Sequence, residues 1–376
     1  MYKLMIPGPT QVPAPVRTAR AQAPDIPDSD PNFVSFYRDT CRRITRLSGG
    51  DDEYETILLD GEGMLALEAA VASLTEPGDR VLVLDNGVFG AGFADLVRLY
   101  GGIPVPYTVD DRRPLDPIAL GYFLASNHKF KYATLVHCET PSGLLNDIGR
   151  LCPLLQSYGI LTLVDGVSSQ FAEPIHVSQG IDFLCGASQK ALSAPSGLAF
   201  VTISPAGWAA IRSRKAPIAS FYGNLQNFST YFEDCWFPYT MPVSDIYGLA
   251  AALDLVEGDP EFQVRHAHTA RACRGALQKA GLELYPEGNP ANTVTAFCVP
   301  ERTTDKAILE KLLSEQGILL TGSFGAMAGK VIRIGHMGAN CNKGDMVETM
   351  NALGRVLEDL GVPLHCDLGA TFRNRL

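Results

Sequence analysis

Between Thr56 and Val201, short β-rich runs alternate with segments of helical periodicity. The runs are TILLD (56–60), VLVLD (81–85), YATLVH (132–137), LTLVDGV (161–167), DFLCGAS (182–188) and LAFVTI (198–203). After the first of them, MLALEAAVASL (64–74) carries a continuous apolar face, and EPGDR (76–80) supplies the turn into the next strand. Strand, helix, turn and strand form a repeating unit, which predicts an α/β fold with a doubly wound, mostly parallel sheet.

Beyond Tyr247 the pattern changes. Long helical segments are expected over 247–281 and 304–316, strands at NTVTAFCV (292–299) and KVIRIGH (330–336), and a last helix near 344–360. This reads as a smaller α+β domain. The expected organisation is an N-terminal arm over 1–20, rich in Pro and Gly, a large domain over 21–250 and a small domain over 251–376. No internal repeat or low-complexity tract interrupts it.

A chain of 376 residues, 46% of them hydrophobic, is long enough for about two domains with a substantial core, which excludes a disordered chain or a disulfide scaffold. The net charge of −10, with no opposing Lys/Arg cluster, excludes a field that gathers phosphate backbones, so no nucleic-acid partner is expected. The charge-free stretch Ala191 to Ile211 is broken by Pro195, Gly197, Pro205 and Gly207, and reads as a loop plus a strand rather than a membrane span. Pro7-Gly8-Pro9 stands where a signal peptide needs an apolar run, so a cytoplasmic location is expected. The nine cysteines are odd in number and contain no C-x-x-C pair, which points to reduced thiols and no metal cage.

In such a sheet ligands bind beyond the carboxyl ends of the strands. After TILLD comes Gly61-Glu62-Gly63-Met64-Leu65-Ala66, a G-x-G-x-x-A match, and Asp85 lies where a ribose-binding acid would be wanted. A dinucleotide-dependent dehydrogenase is therefore one reading, and close helix-to-strand packing through the glycines is another. Asp165 ends the run LTLV, where it either caps the following turn or pairs with a cationic ring nitrogen. Lys190 follows DFLCGAS among small and apolar neighbours, where desolvation would lower its pKa and make a competent Schiff-base amine. An Asp at one strand end and a Lys after the next strand are what a pyridoxal ring requires, whereas nicotinamide chemistry requires neither.

With these residues in place, the chain resembles the class V, fold-type I aminotransferases of the alanine, serine and glyoxylate group. The resemblance covers nearly the whole chain. It rests on Gly8-Pro9-Thr10, GEGMLALEAA (61–70), DNGVFG (85–90), HCETPSGLLN (137–146), VDGVSSQ (164–170), GASQKALSAPSG (186–197), YTMPVS (239–244) and RIGHMG (333–338). It implies pyridoxal 5'-phosphate in a Schiff base to Lys190, Asp165 on the ring nitrogen, Phe89 against the ring face, and Thr140 or Ser142 near the ring hydroxyl. It further implies cofactor contacts from Glu62, Gly63, Met64 and Gln189, and substrate contacts from Gly8, Pro9 and Arg333, the last pairing with the α-carboxylate. A homodimer, or a higher oligomer built on it, is implied, with Thr240 reaching the partner's cofactor.

Two positions depart from the family's usual pattern. Glu62 stands where a small hydroxyl residue binds the cofactor phosphate, and Phe237 where the partner subunit usually supplies a tyrosine. The Glu resembles the pyridoxamine–pyruvate aminotransferases, which take the unphosphorylated vitamer as substrate, although Phe324 replaces a second substrate-binding arginine found there. The implied reaction is amino transfer to a small 2-oxo acid, specifically pyridoxamine plus pyruvate giving pyridoxal plus alanine. The alternatives are a phosphate-cofactor alanine or serine transaminase, in which Glu62 turns to solvent and the helix N-terminus, Gln189 and Thr240 hold the phosphate, a cysteine desulfurase using Cys341, or a noncatalytic cofactor carrier.

Overall fold

The structure, a computed structural model, describes residues 2–376. Seven strands form the main sheet: β1 (Glu55–Asp60), β2 (Arg80–Asp85), β3 (Ile103–Thr108), β4 (Tyr132–Val136), β5 (Leu161–Asp165), β6 (Phe183–Ala187) and β7 (Leu198–Ile203). Their spatial order is β1-β7-β6-β5-β4-β2-β3, with β7 antiparallel to both neighbours and the other pairs parallel. The carboxyl ends of β1, β2, β5 and β6 therefore open on one edge.

Both faces of the sheet are covered, and the period of two decides which residue goes where. Val81 and Val83 pack into one core with Ala66 and Phe93, whereas Leu82 and Leu84 pack into the opposite core with Leu120 and Leu151. Each fully buried Leu or Val contributes roughly 1.5–3 kcal/mol, so a one-residue slip of β2 would lose its place in both layers.

The apolar runs locate every strand of this sheet except β3. Its sequence IPVPYT contains Pro104 and Pro106, which supply no N–H to a ladder, and β3 is an edge strand pairing only with β2. An edge tolerates the missing N–H groups. The helical segment expected over 247–281 is two helices, Val243–Glu257 and Phe262–Lys279, broken at Gly258-Asp259-Pro260. The last helix spans Lys343–Asp359, and a further short one, Leu368–Arg373, follows it.

The C-terminal part is built on a three-stranded antiparallel sheet of β8 (Val294–Cys298), β9 (Thr321–Gly322) and β10 (Val331–Gly335), ordered β8-β10-β9. Its core gathers Phe297, Ile332, Ile334, Leu353 and Phe372, and also Met5 from the start of the chain. That first segment is structured: Lys3–Leu4 pairs with Ile318–Leu319, and the helix Ala14–Ala21 packs on Val243–Glu257. Between these anchors, Pro7 to Thr10 is drawn across the open edge of the main sheet. Among the described residues, no helix is long and apolar enough to cross a membrane.

Candidate active site

A cavity of about 340 Å³ lies at that edge, where the turns after β1, β2, β5 and β6 meet the segment Gly8–Pro9. A larger cleft of about 560 Å³ lies elsewhere, between Arg38, Arg42 and Trp208, and contains none of the strand-end chemistry. Of the residues singled out in the sequence, Gly8, Pro9, Glu62, Gly63, Met64, Phe89, Asp165, Gln189 and Lys190 line the smaller cavity together. Thr140, Ser142, Thr240 and Arg333 do not line it directly.

Lys190 stands in a turn held from two sides. Thr10 donates its backbone N–H to the Gln189 carbonyl at 3.0 Å, and its hydroxyl to the Lys190 carbonyl at 3.1 Å. Ser193, at φ +55°, pairs its hydroxyl with that of Thr10 at 2.9 Å and accepts the Ala339 N–H at 2.8 Å. The motifs at Gly8-Pro9-Thr10, around Lys190 and at RIGHMG thus form one joint. The lysine Nζ donates to the Pro7 carbonyl at 2.8 Å. Burial lowers its pKa, against the pull of Cys138 and Asp165, and the nearby Arg333 lowers it further. The result is an amine readier to exist in its neutral, nucleophilic form. Gly8, at φ +103°, leaves the lysine its room, since a Cβ there would come 2.6 Å from Lys190 Cδ.

Asp165 ends β5 with its side chain buried. One oxygen accepts the Val167 N–H at 2.9 Å, and the other accepts no hydrogen bond among the described residues. Asp165 therefore makes the local turn contact and leaves one carboxylate oxygen open. Burial pushes its pKa up to about 6, with Val167 N–H and Lys190 pulling it back and Glu62 pushing it further up. Because the folded value lies above the ordinary carboxylate range, this group favours folding most at low pH, and that contribution is lost as pH rises through about 6. A ligand cation at this oxygen offsets the loss. Affinity for a cationic ligand at this oxygen is accordingly expected to weaken as pH falls below about 6, by up to about tenfold per unit, and Asp165→Asn to bind it weakly with no such limb. Absorbance titration from pH 5 to 8 measures both.

Glu62 occupies the head of the helix Gly63–Leu74, its carboxylate accepting the Met64 N–H at 3.1 Å as the N-cap. One of the free N–H groups that would hold an anion at this helix start, that of Met64, thus already faces a carboxylate. Asp85, the candidate ribose acid, instead accepts the Gly87 N–H at 3.2 Å and the Thr108 hydroxyl at 3.2 Å, which leaves the dinucleotide reading without its acid.

Phe89 presents a ring to the cavity and meets Phe324 edge-on, centroids 6.0 Å apart. The Arg333 guanidinium lies 5.0 Å from the Phe324 centroid and donates through Nε to the Gly322 carbonyl at 2.9 Å. No carboxylate among the described residues forms an ion pair with it, and burial lowers its pKa to about 10, so it remains a cation at neutral pH with its two terminal nitrogens uncommitted. Thr140 donates to the hydroxyl of Ser168, a cavity residue, at 2.6 Å, whereas Ser142 turns back to the Glu139 carbonyl at 3.3 Å.

Thr240 is exposed and does not line the cavity. Phe237 is buried, its ring 4.7 Å from Tyr37 and 5.3 Å from Tyr231. Cys341 is buried against the Thr269 hydroxyl outside the cavity, and burial pushes its thiol pKa up, opposite to what a nucleophile needs. His137 and His336 are buried on Ser169 and on Thr295 with Asn292, and burial lowers both to about 3, so they stay neutral.

Cavity residues that the pattern did not single out are Leu67, Val167, Ser168 and Ser196. Small or apolar side chains beside a motif carry no signal of their own. A pyridoxal-type ring fits the donor set: a buried open carboxylate, a desolvated lysine, an aromatic face, and the Gln189 amide oxygen, buried with no protein partner.

Residues 26–342 match the family described as aminotransferase class-V. The chain is 33% identical over 363 residues to an uncharacterized aminotransferase of Methanocaldococcus jannaschii, covering 95% of this chain and 93% of the relative. It is 32% identical over 343 residues to the pyridoxamine–pyruvate transaminase of Mesorhizobium japonicum, covering 89% and 86%. The crystal structure of ureidoglycine–glyoxylate aminotransferase from Bacillus subtilis superposes with a TM-score of 0.95 at 26% identity, covering 100% of this chain and 98% of that one.

Proposed function

Since the chain belongs to the class-V aminotransferases, which work with pyridoxal cofactors, we propose that this transaminase moves an amino group from pyridoxamine to pyruvate, giving pyridoxal and alanine. The observation that carries the unphosphorylated choice is the Glu62 carboxylate on the Met64 N–H. A phosphate brought to about 4 Å from that carboxylate would meet a repulsion of about 4 kcal/mol per unit charge at an effective dielectric of 20, less where water screens it. The hydroxymethyl group of the free vitamer carries no charge and has a proton to donate to the carboxylate. The similarity to the Mesorhizobium enzyme supports the same choice.

When bound, the pyridoxal ring supplies an electron sink conjugated to the transferred amine. Asp165, through its open oxygen, holds a proton on a cationic ring nitrogen. Lys190 Nζ, desolvated and tethered only to the Pro7 carbonyl, accepts and returns a proton at the reacting carbon. Arg333 binds the carboxylate of the 2-oxo acid with the guanidinium nitrogens its Gly322 bond leaves free. Phe89 offers the ring an apolar face. The reading includes a homodimer, in which the exposed Thr240 of one subunit reaches the cavity of the other. It is supported by exposed Phe221, Tyr222 and Trp236 on the neighbouring segment.

The test is to incubate cofactor-stripped protein with pyridoxamine and pyruvate, and to follow pyridoxal by absorbance and alanine by chromatography. Equal amounts of both are expected with no phosphate ester added. Product formed only when pyridoxal 5'-phosphate is supplied, with alanine or serine as donor, would overturn the choice of vitamer.

A further inference from the structure

Glu139 is wholly buried at the end of the strand segment Cys138–Glu139, and no cation forms an ion pair with it among the described residues. Its Oε1 accepts the Gly90 N–H at 2.6 Å and its Oε2 the Phe89 N–H at 3.3 Å. These are orphan donors of the helix Val88–Leu99, whose N-cap residue, Gly87, has no side chain to satisfy them. Gly87 is the residue the carboxylate requires, because a Cβ there would come 2.5 Å from Glu139 Cδ. Burial pushes the carboxyl pKa up to about 8, the two N–H donors pull against this, and Asp165 and Asp85 add to it.

A Ser, Thr or Asp at position 87 would satisfy the same helix end without taking a charge out of water. What the remote carboxylate adds is a tie. Its backbone carbonyl accepts the Gly143 N–H at 2.8 Å and the Ser142 hydroxyl, closing the turn that carries Thr140 onto Ser168. Side chain and backbone of one residue thus join the Phe89 wall of the cavity to the Thr140–Ser168 wall.

We propose that Glu139 is a positioning residue that fixes the Phe89 ring against the vitamer by clamping the head of its helix. This rests on the assignment of Phe89 to the vitamer ring made above. Above pH 8, where the carboxylate is ionised and both its oxygens accept, Glu139→Gln, whose amide must place a donor against one of the two N–H groups, is expected to raise KM for pyridoxamine about tenfold with kcat within about twofold. Phe89→Ala is expected to do the same, and the double variant to be no worse than either, since both remove one interaction. Amide exchange in residues 87–92 is expected to accelerate at least tenfold in ligand-free Glu139→Gln while the β5 and β6 peptides stay protected. That readout does not depend on turnover.

Multiplicative effects on KM, or a fall in kcat with KM unchanged, would overturn the proposal. So would unchanged exchange at 87–92. Should Glu139→Gln not fold, Gly87→Ser in the wild-type background decides, because its side chain displaces the carboxylate and is expected to raise KM in the same way, with an unchanged KM as the contrary result. Absence of turnover in the wild type with faster exchange in the variant would sink the vitamer assignment and leave the clamp standing.

Discussion

Replacing Glu62 with serine is expected to reverse the vitamer preference, with pyridoxal 5'-phosphate binding about fivefold to about a thousandfold more tightly than to the wild type. The range follows from the charge. At about 4 Å the repulsion per unit charge runs from about 1 kcal/mol in water to about 4 kcal/mol at an effective dielectric of 20, and Glu62 is exposed in the isolated subunit, which favours the lower part. Serine keeps the N-cap of the helix Gly63–Leu74, so the fold should lose little, and it leaves N–H groups and a hydroxyl for an anion. Pyridoxamine turnover should fall in the same variant, as the hydroxymethyl group loses its acceptor. Titration of both vitamers against both proteins measures this, and equal phosphate affinities would remove Glu62 from the specificity argument.

Lys190→Ala is expected to lower kcat by roughly 10²- to 10⁴-fold, the usual contribution of a positioned proton-transfer group. Vitamer affinity should change far less, because Asp165, Phe89 and Gln189 remain around the cavity. A small amine added to the variant should restore part of the rate, since the site then lacks only a base. The cavity left by the side chain sits beside Gly8, whose left-handed backbone brings it against the lysine stem. A carrier without catalysis would show no rate to lose.

Much of this was legible in the sequence because the chemistry sits where apolar strands stop. Asp165 and Lys190 interrupt runs of buried residues, and a charge at such a point needs a reason. The two-sided burial of β2 could be read from VLVLD, whereas β3 was hidden by Pro104 and Pro106, whose tolerance depends on being at an edge, a fact of topology. Glu139 carried a signal of the same kind as Asp165, a lone acid within HCETPSG, but its role required knowing that Gly87 leaves a helix uncapped beside it. The direction of Phe237 was not legible, because correspondence along the chain says nothing about which way a ring turns, and this one packs on Tyr37 and Tyr231. Arg333 was found through its apolar strand, but its aromatic neighbour Phe324 comes from a different strand end and meets it only in the fold.

The most direct measurement is reductive trapping. Protein mixed with pyridoxal, reduced with borohydride and digested should yield a single modified peptide, carrying the mass of one unphosphorylated pyridoxyl group on Lys190. Label on another lysine, or none while the protein still turns over pyridoxamine, would contradict the assignment.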